Sequence, residues 1–380
     1  MKGEWIKMDV PSAKPFFKEE DIENILGEIR EVLKSGRLIL GPKAQELEET
    51  FADYIGVKHA IAVNSCTSAL ELVLRYINVR DSEVIVPTNT FIASSNAVIY
   101  AGGKPILADI KRETLCIDPE DVLERITSKT KAIIVVHLAG LICPQMKELS
   151  EICADHNLVL IEDAAHAHGA TVEGKKAGSL GDFGCFSFYP TKVMTTGVGG
   201  MITMNDANLL DFAKSVRHHG QGKDLTQIEN LGNDWVMSEV TAVLGIYQLK
   251  WLEECLKKRN ETAQKYTQGL KNIGCLTPIT VLDTIRHSYY KYPALISDGI
   301  DTDASKLEKL LKEKYNIATG TLYYPPVHLQ PIYKRIFGYT EGMLPVAEAV
   351  LKRELCLPMF VEIDDEAINY VIESLENELL

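Results

Sequence analysis

Apolar residues recur at helical spacing near the start of the chain. Ile22, Ile25, Leu26, Ile29, Val32 and Leu33 repeat with a period near 3.6, and Gly36 can close the helix they predict. Pro42 opens a second helix that Gly56 ends. The 18 residues ahead of both read as an arm.

The pattern then changes to short apolar runs separated by amphipathic stretches. HAIAVN (59–64), EVIVP (83–87), KPILADI (104–110), KAIIVVHLAG (131–140) and LVLIED (158–163) are continuously apolar. Strands covered on both faces have this character, whereas half-exposed strands alternate. Helices are predicted between them: about Thr67 to Arg75, about Phe91 to Tyr100, one capped by Asp118-Pro119, and about Met146 to His156. Strand and helix in alternation predict an α/β fold with a mainly parallel sheet flanked by helices.

Beyond about residue 203 the order breaks. A long helical stretch starts near Ser238 and runs past Lys271. HSYYKYPALI (287–296) reads as a strand, and helices near 303–315 and 365–378 flank the Tyr- and Pro-rich loop TLYYPPVHLQP (321–331). The expectation is a large domain over residues 1–250, arm included, and a smaller C-terminal α+β domain over 251–380, with a helix crossing the boundary. A chain of 380 residues exceeds what one compact core usually absorbs.

Charge and cysteine usage narrow the functional classes. A formal charge of −13 repels phosphate backbones and argues against a nucleic-acid partner. There is no 18-residue apolar run, and MKGEWIKMDV lacks an apolar h-region, so no membrane span or secretory signal is expected. The eight cysteines are scattered without a CxxC pair. That spacing predicts neither a zinc site nor a redox dithiol, and it suits a cytoplasmic protein with cysteines as small core residues.

Parallel sheets bind ligands beyond the C-terminal ends of their strands. LVLIED ends in Glu162-Asp163, with His166 three residues further on. These are a ligand-facing pair, or else a helix cap and a core ion pair. HAIAVN runs into Ser65, Thr67 and Ser68 at the start of a helix, where free N–H groups and hydroxyls can take an anion or simply cap the helix. EVIVP leads to Phe91, a core residue or a flat platform. SFYPTKVMTTGVGG (187–200) holds Lys192 among small, aromatic and hydroxylic residues that poorly suit a surface. A desolvated lysine is what carbonyl chemistry needs, because imine formation requires the neutral amine.

Pyridoxal 5'-phosphate fits these pieces jointly. Its phosphate wants Thr67, Ser68 and Ser187 at a helix start. Its ring wants Phe91, its pyridine nitrogen a carboxylate such as Asp163, and its ring oxygen a donor such as His166. The rival motifs are weaker. GVGG (197–200) is neither a phosphate loop nor a full GxGxxG fingerprint and reads as a tight turn. His218 and His219 lack a partner at metal-ligand spacing, so no metal site is expected.

With these residues in view, the sequence resembles the DegT/DnrJ/EryC1/StrS sugar aminotransferases over nearly its whole length. The resemblance rests on SGRLILGP (35–42), NSCTSALELVL (64–74), PTNTFIASSNAVIYAGGKPILADI (87–110), IEDAAHAHGA (161–170), SFYPTKVMTTGVGG, YYPPVHLQPIY (323–333) and LPVAEAVLKRELCLPMF (344–360). It implies the type I fold of pyridoxal-phosphate enzymes and a homodimer with its active site at the subunit interface. It also implies transfer of an amino group, from a donor such as L-glutamate, to a keto sugar linked to a nucleotide, as in polysaccharide or antibiotic sugar biosynthesis. Lys192 would hold the cofactor as an internal aldimine and then move the proton. Asp163 would pair with the pyridine nitrogen and His166 with the ring oxygen. Thr67, Ser68 and Ser187 would hold the phosphate, Phe91 would cover the ring, and His328 would contact the sugar or its nucleotide.

Three positions depart from the family pattern. Val198 stands where an acidic residue is usual, Asp234 where an Asn reaches the neighbouring subunit's phosphate, and Val236 where an Arg is usual. Asp234 would repel a phosphate, so either Asn233 substitutes for it or the contact is lost. A keto-cyclitol acceptor, a pyridoxal-phosphate dehydratase and a non-catalytic cofactor-binding sensor are the competing readings. Lys192 favours transamination over the dehydratase, whose members carry histidine there.

Overall fold

A computed structural model describes residues 7–224 and 226–380. The first six residues of the expected arm, with most of the segment read for a signal, lie outside them. The large domain is built on seven strands: β1 (His59–Val63), β2 (Glu83–Pro87), β3 (Lys104–Ala108), β4 (Thr130–Val136), β5 (Val159–Asp163), β6 (Phe183–Ser187) and β7 (Gly200–Met204). Their order across the sheet is β1-β7-β6-β5-β4-β2-β3. From β6 to β3 every neighbouring pair is parallel. β7 is antiparallel to both β6 and β1. Two reversals restore direction, so β1 points the same way as β6. The C-terminal ends of β1 to β6 therefore share one edge of the sheet, and Thr67, Phe91, Asp163, Ser187 and Lys192 lie at or just beyond those ends.

Helices α1 (Glu19–Ser35), α2 (Pro42–Ile55), α3 (Cys66–Tyr76), α4 (Ile92–Tyr100), α5 (Pro119–Arg125), α6 (Met146–His156) and α7 (Ala207–Val216) accompany the sheet. The expected start of α3 moves by one residue because Ser65 is the cap, its hydroxyl accepting from the Ser68 N–H. The apolar run KAIIVVHLAG stops being strand at Val136, and a turn follows in which Ala139 (φ 56°) and Gly140 (φ 100°) adopt left-handed backbone.

α8 (Glu239–Ile273) is 35 residues long, about 50 Å of helix, capped by Ser238. Its Ala242, Leu252 and Leu256 belong to the large core, while Ala263, Tyr266, Leu270 and Ile273 belong to a second core. That second core surrounds the antiparallel strands β8 (Leu276–Pro278), β9 (Tyr292–Ile296) and β10 (Glu354–Leu357), with α9 (Ala304–Tyr315) and α12 (Asp365–Leu379) packed against it. Val10 of the arm joins it by bridging to Ile317. Between α9 and β10 the chain returns to the large core: Leu322, Val327, Tyr333, Leu344, Ala347 and Val350 pack there, partly on α10 (Pro331–Phe337) and α11 (Pro345–Leu351). The predicted strand 287–296 is strand only from Tyr292. The N–H groups of Ser288 and Lys291 are taken by the carbonyls of Gly140 and Ala139 instead of a sheet neighbour.

Two buried carboxylates hold the frame. Glu162 is fully buried; it accepts the N–H groups of Gly178, Leu180 and Gly181 at 2.7 Å each and the His137 Nε2 proton at 2.8 Å. Glu239 accepts the N–H groups of Gly41, Lys43 and Ala44, satisfying the start of α2 from another helix. A Cβ on Gly41 would sit 2.4 Å from that carboxylate, so glycine is required where the two segments meet.

Replacing Glu162 with Ala leaves the buried Gly178 N–H and His137 Nε2 proton, and the half-buried N–H groups of Leu180 and Gly181, without their acceptor. Glu162→Ala is expected to cost about 3 kcal/mol or more. The denaturant midpoint checks this; a loss below about 1 kcal/mol would contradict the role.

Candidate active site

A cavity of about 390 Å³ opens at the C-terminal edge of the sheet. Asp163 reaches it from the end of β5, Ser187 from the end of β6, Cys66 and Thr67 from the first turn of α3, and Phe91 from the residue before α4. Lys192 enters from the loop joining β6 to β7. That loop is closed on itself, with the Phe188 N–H donating to the Gly199 carbonyl and the Thr196 N–H to the Phe188 carbonyl. Gly200 lets β7 lie against the α3 turn, since a Cβ there would come within 2.4 to 2.7 Å of Ser65 and Cys66 backbone atoms.

The electrostatics match a reactive amine. Burial lowers the Lys192 ammonium to a pKa of about 8, with Lys291 adding to the effect; Asp163 and Cys66 pull the other way and are outweighed. The Lys192 Nζ lies 4.4 Å from the centre of the Tyr290 ring. Asp163 is buried, and its carboxylate accepts from Ser94 Oγ at 2.6 Å and from the Ala165 N–H at 3.1 Å. Burial, with the Lys192 charge second, holds His166 well below the ordinary imidazole range. Its Nδ1 accepts the Ala139 N–H at 3.2 Å, and its Nε2 lies 2.9 Å from Tyr323 Oη.

Of the expected residues, Thr67, Phe91, Asp163, His166, Ser187 and Lys192 line this one cavity. Phe91 is 57% exposed, an aromatic face left open toward it. Three expected residues are placed otherwise. Ser68 is buried and does not line the cavity; its hydroxyl is held by Asn64 Oδ1 at 2.7 Å and the Ser65 carbonyl at 2.8 Å. Asn233 is exposed, and its Oδ1 accepts the Asp234 N–H, so it does not enter the cavity of its own chain. His328 is a correction. It is fully buried beneath the loop, Nδ1 bonded to Thr88 Oγ1 at 2.7 Å and Nε2 to Glu348 at 3.0 Å, with neither nitrogen left for a substrate.

The departing positions are near the site. Val198 is exposed and lines the cavity. The carbonyls of Asp234 and Trp235 accept from the side chain and backbone of Asn64, so residues 234–235 are tied to the α3 turn. The sequence reading missed Ser94, Tyr290 and Tyr323. Ser94 sits one helical turn after Phe91, which was a usable signal. Tyr323 opens the YYPPVHLQPIY motif, which singles out the loop but not this residue, and Tyr290 carries no signal.

The chemistry of this set suits a phosphorylated aldehyde cofactor. It offers an amine of lowered pKa, a buried carboxylate, an open aromatic face, and hydroxyls beside a helix start. Among the described residues no cluster of three or more His, Cys, Asp or Glu side chains could hold a metal, and no helix is long and apolar enough to cross a membrane.

Comparison with known proteins identifies the family. The profile of the DegT/DnrJ/EryC1/StrS aminotransferase family matches residues 19–376. The chain is 36% identical to the spore coat polysaccharide biosynthesis protein SpsC of Bacillus subtilis, over 97% of this chain and 96% of that one. It is 38% identical to the GDP-perosamine synthase of Caulobacter vibrioides, over 88% of this chain and 90% of that one. Spr1654 from Streptococcus pneumoniae, solved in its PMP-form, superposes with a TM-score of 0.90 at 29% identity, covering 97% of both chains. Fold and family thus define an aminotransferase, of a class whose solved relatives include PMP and PLP forms. The chain belongs to the DegT/DnrJ/EryC1/StrS aminotransferase family.

A lysine of pKa about 8 is about one-tenth neutral at pH 7. The rate at which the apoprotein captures pyridoxal phosphate is expected to rise with pH around a midpoint near 8. Stopped-flow absorbance checks this, and a rate still rising toward pH 10 would contradict it.

Proposed function

We propose that this aminotransferase carries pyridoxal phosphate on Lys192, takes an amino group from L-glutamate and delivers it to a nucleotide-linked keto sugar. The reading rests on one observation: a desolvated lysine amine and a buried carboxylate share one cavity with hydroxyls at a helix start. The sugar acceptor is supported by relatives, among them one whose name states that it makes GDP-perosamine.

The bound cofactor supplies an electron sink for charge left on the substrate carbon. The remaining work falls to side chains. Lys192 holds the cofactor and, once freed by the amine donor, is the base that accepts a proton at the substrate carbon and returns it. Asp163, fixed by Ser94 and the Ala165 N–H, keeps a proton on the ring nitrogen. Thr67 and Ser187 bind the phosphate beside the first turn of α3. Phe91 covers the ring and excludes water, and His166 lies toward the ring oxygen.

The unit is a homodimer with the site at its interface. Leu26, Leu33, Leu38 and Ile39 are exposed apolar residues on and after α1, and Leu231 is 86% exposed beside the segment tied to Asn64. Burying such residues against a second copy is favourable. In that arrangement Asn233 of one subunit serves the phosphate of the other.

Lys192→Ala is expected to abolish both the visible band of the bound cofactor and turnover with a nucleotide keto sugar; full activity in that variant would end the proposal. Asp163→Ala is expected to lower kcat on the order of a hundredfold while the cofactor is still retained, read from steady-state rates beside the absorbance spectrum. Unchanged kinetics would remove Asp163 from its assigned role.

A further inference from the structure

Tyr323 reaches the cavity on a segment that is held in place against its own preference. Its backbone has φ 65°, which is costly for a bulky side chain and persists only when its surroundings impose it. The surroundings do so here. Gly320 and Cys356 exchange backbone hydrogen bonds at 3.2 and 2.7 Å. The Leu322 N–H donates to Glu354 Oε2 at 2.6 Å, and Glu354 is fully buried on β10. The result is a tyrosine ring 5.8 Å from Phe91 and 6.0 Å from His166, centre to centre, lining the cavity.

The proton positions at its hydroxyl follow from its neighbours. The Ala139 N–H donates to His166 Nδ1, so that nitrogen carries the lone pair. A neutral imidazole then has its one proton on Nε2. Nε2 is 2.9 Å from Tyr323 Oη, and it must be the donor. Tyr323 Oη accepts, and its own O–H proton points elsewhere. Among the described residues no protein acceptor takes that proton.

We propose that Tyr323 is a ligand-contacting residue whose hydroxyl, oriented by His166, donates its unused proton to an oxygen of the molecule bound in the cavity. The inference rests on the function proposed above. The acceptor is an oxygen of the cofactor or of a substrate, and the chemistry is the same for both. The assignment also replaces His328 as the contribution of the 321–331 loop: the loop serves the site through Tyr323, and His328 anchors it.

Tyr323→Phe, measured in the full-length holoenzyme, separates the possibilities. The variant is expected to fold with a thermal midpoint close to that of the wild type. It is expected to lose about tenfold in a single binding step with kcat largely kept, the size of one lost hydrogen bond to a polar or charged oxygen. A raised dissociation constant for pyridoxal phosphate places the contact on the cofactor. An unchanged one with a raised KM for glutamate or for the keto sugar places it on that substrate. Either supports the proposal. Unchanged constants throughout, or a uniform fall in stability and every kinetic constant, would overturn it. A second measurement needs no variant: in the wild type, pyridoxal phosphate or substrate is expected to protect Tyr323 from nitration, read by peptide mass spectrometry, and equal labelling with and without them counts against the contact. A wild-type protein that binds no pyridoxal phosphate and reacts with no amine donor sinks the proposed function itself. A working wild type beside an indifferent Tyr323→Phe sinks only this inference.

Discussion

The site depends on keeping one amine out of water while a carboxylate shares its cavity. The two requirements oppose each other. Burial disfavours the charge on Lys192, and Asp163 favours it. A pKa near 8 means that burial prevails, and by a modest margin. About a tenth of the amine is then neutral at pH 7, against less than about a thousandth for an ordinary solvated lysine. A stronger pull from Asp163 would return the lysine to an inert ammonium.

The fold answers by dividing the labour between two cores. The sheet provides the chemical residues, because β1, β2, β5 and β6 end at one edge and each of those ends leads into a motif. Glu162 ties the end of β5 to the 178–181 turn ahead of β6 and to His137 after β4, so its neighbour Asp163 is offered from a fixed strand end. The cover comes from later in the chain. Residues 288–291 grip the Ala139–Gly140 turn by backbone hydrogen bonds, Ser288 Oγ donates to the His166 carbonyl, and Tyr290 lies beside Lys192. α8 ties these parts together as one uninterrupted helix shared by both cores.

What could be read in advance was whatever is local. Lys192, Thr67 and Phe91 follow a strand by a few residues and Asp163 and Ser187 end one, so the strand pattern alone brings them to one edge. Residues fixed by tertiary contact were misjudged. Ser68 looked free but was consumed by the cap it belongs to, and His328 lay in the right loop facing the wrong way. HSYYKYPALI has the composition of a strand, yet its first half pairs with a turn of the large domain, and Tyr289 takes φ 47° to make that possible. Tyr290 and Tyr323 could not be found from spacing, because Lys192, His166 and Phe91, which they meet at the cavity, belong to distant parts of the chain.

The most direct test of the account is to load the protein with pyridoxal phosphate, reduce it with borohydride, and map the modified lysine by mass spectrometry. The account requires the cofactor to be found on Lys192. Attachment to any other lysine, or to none, would contradict it.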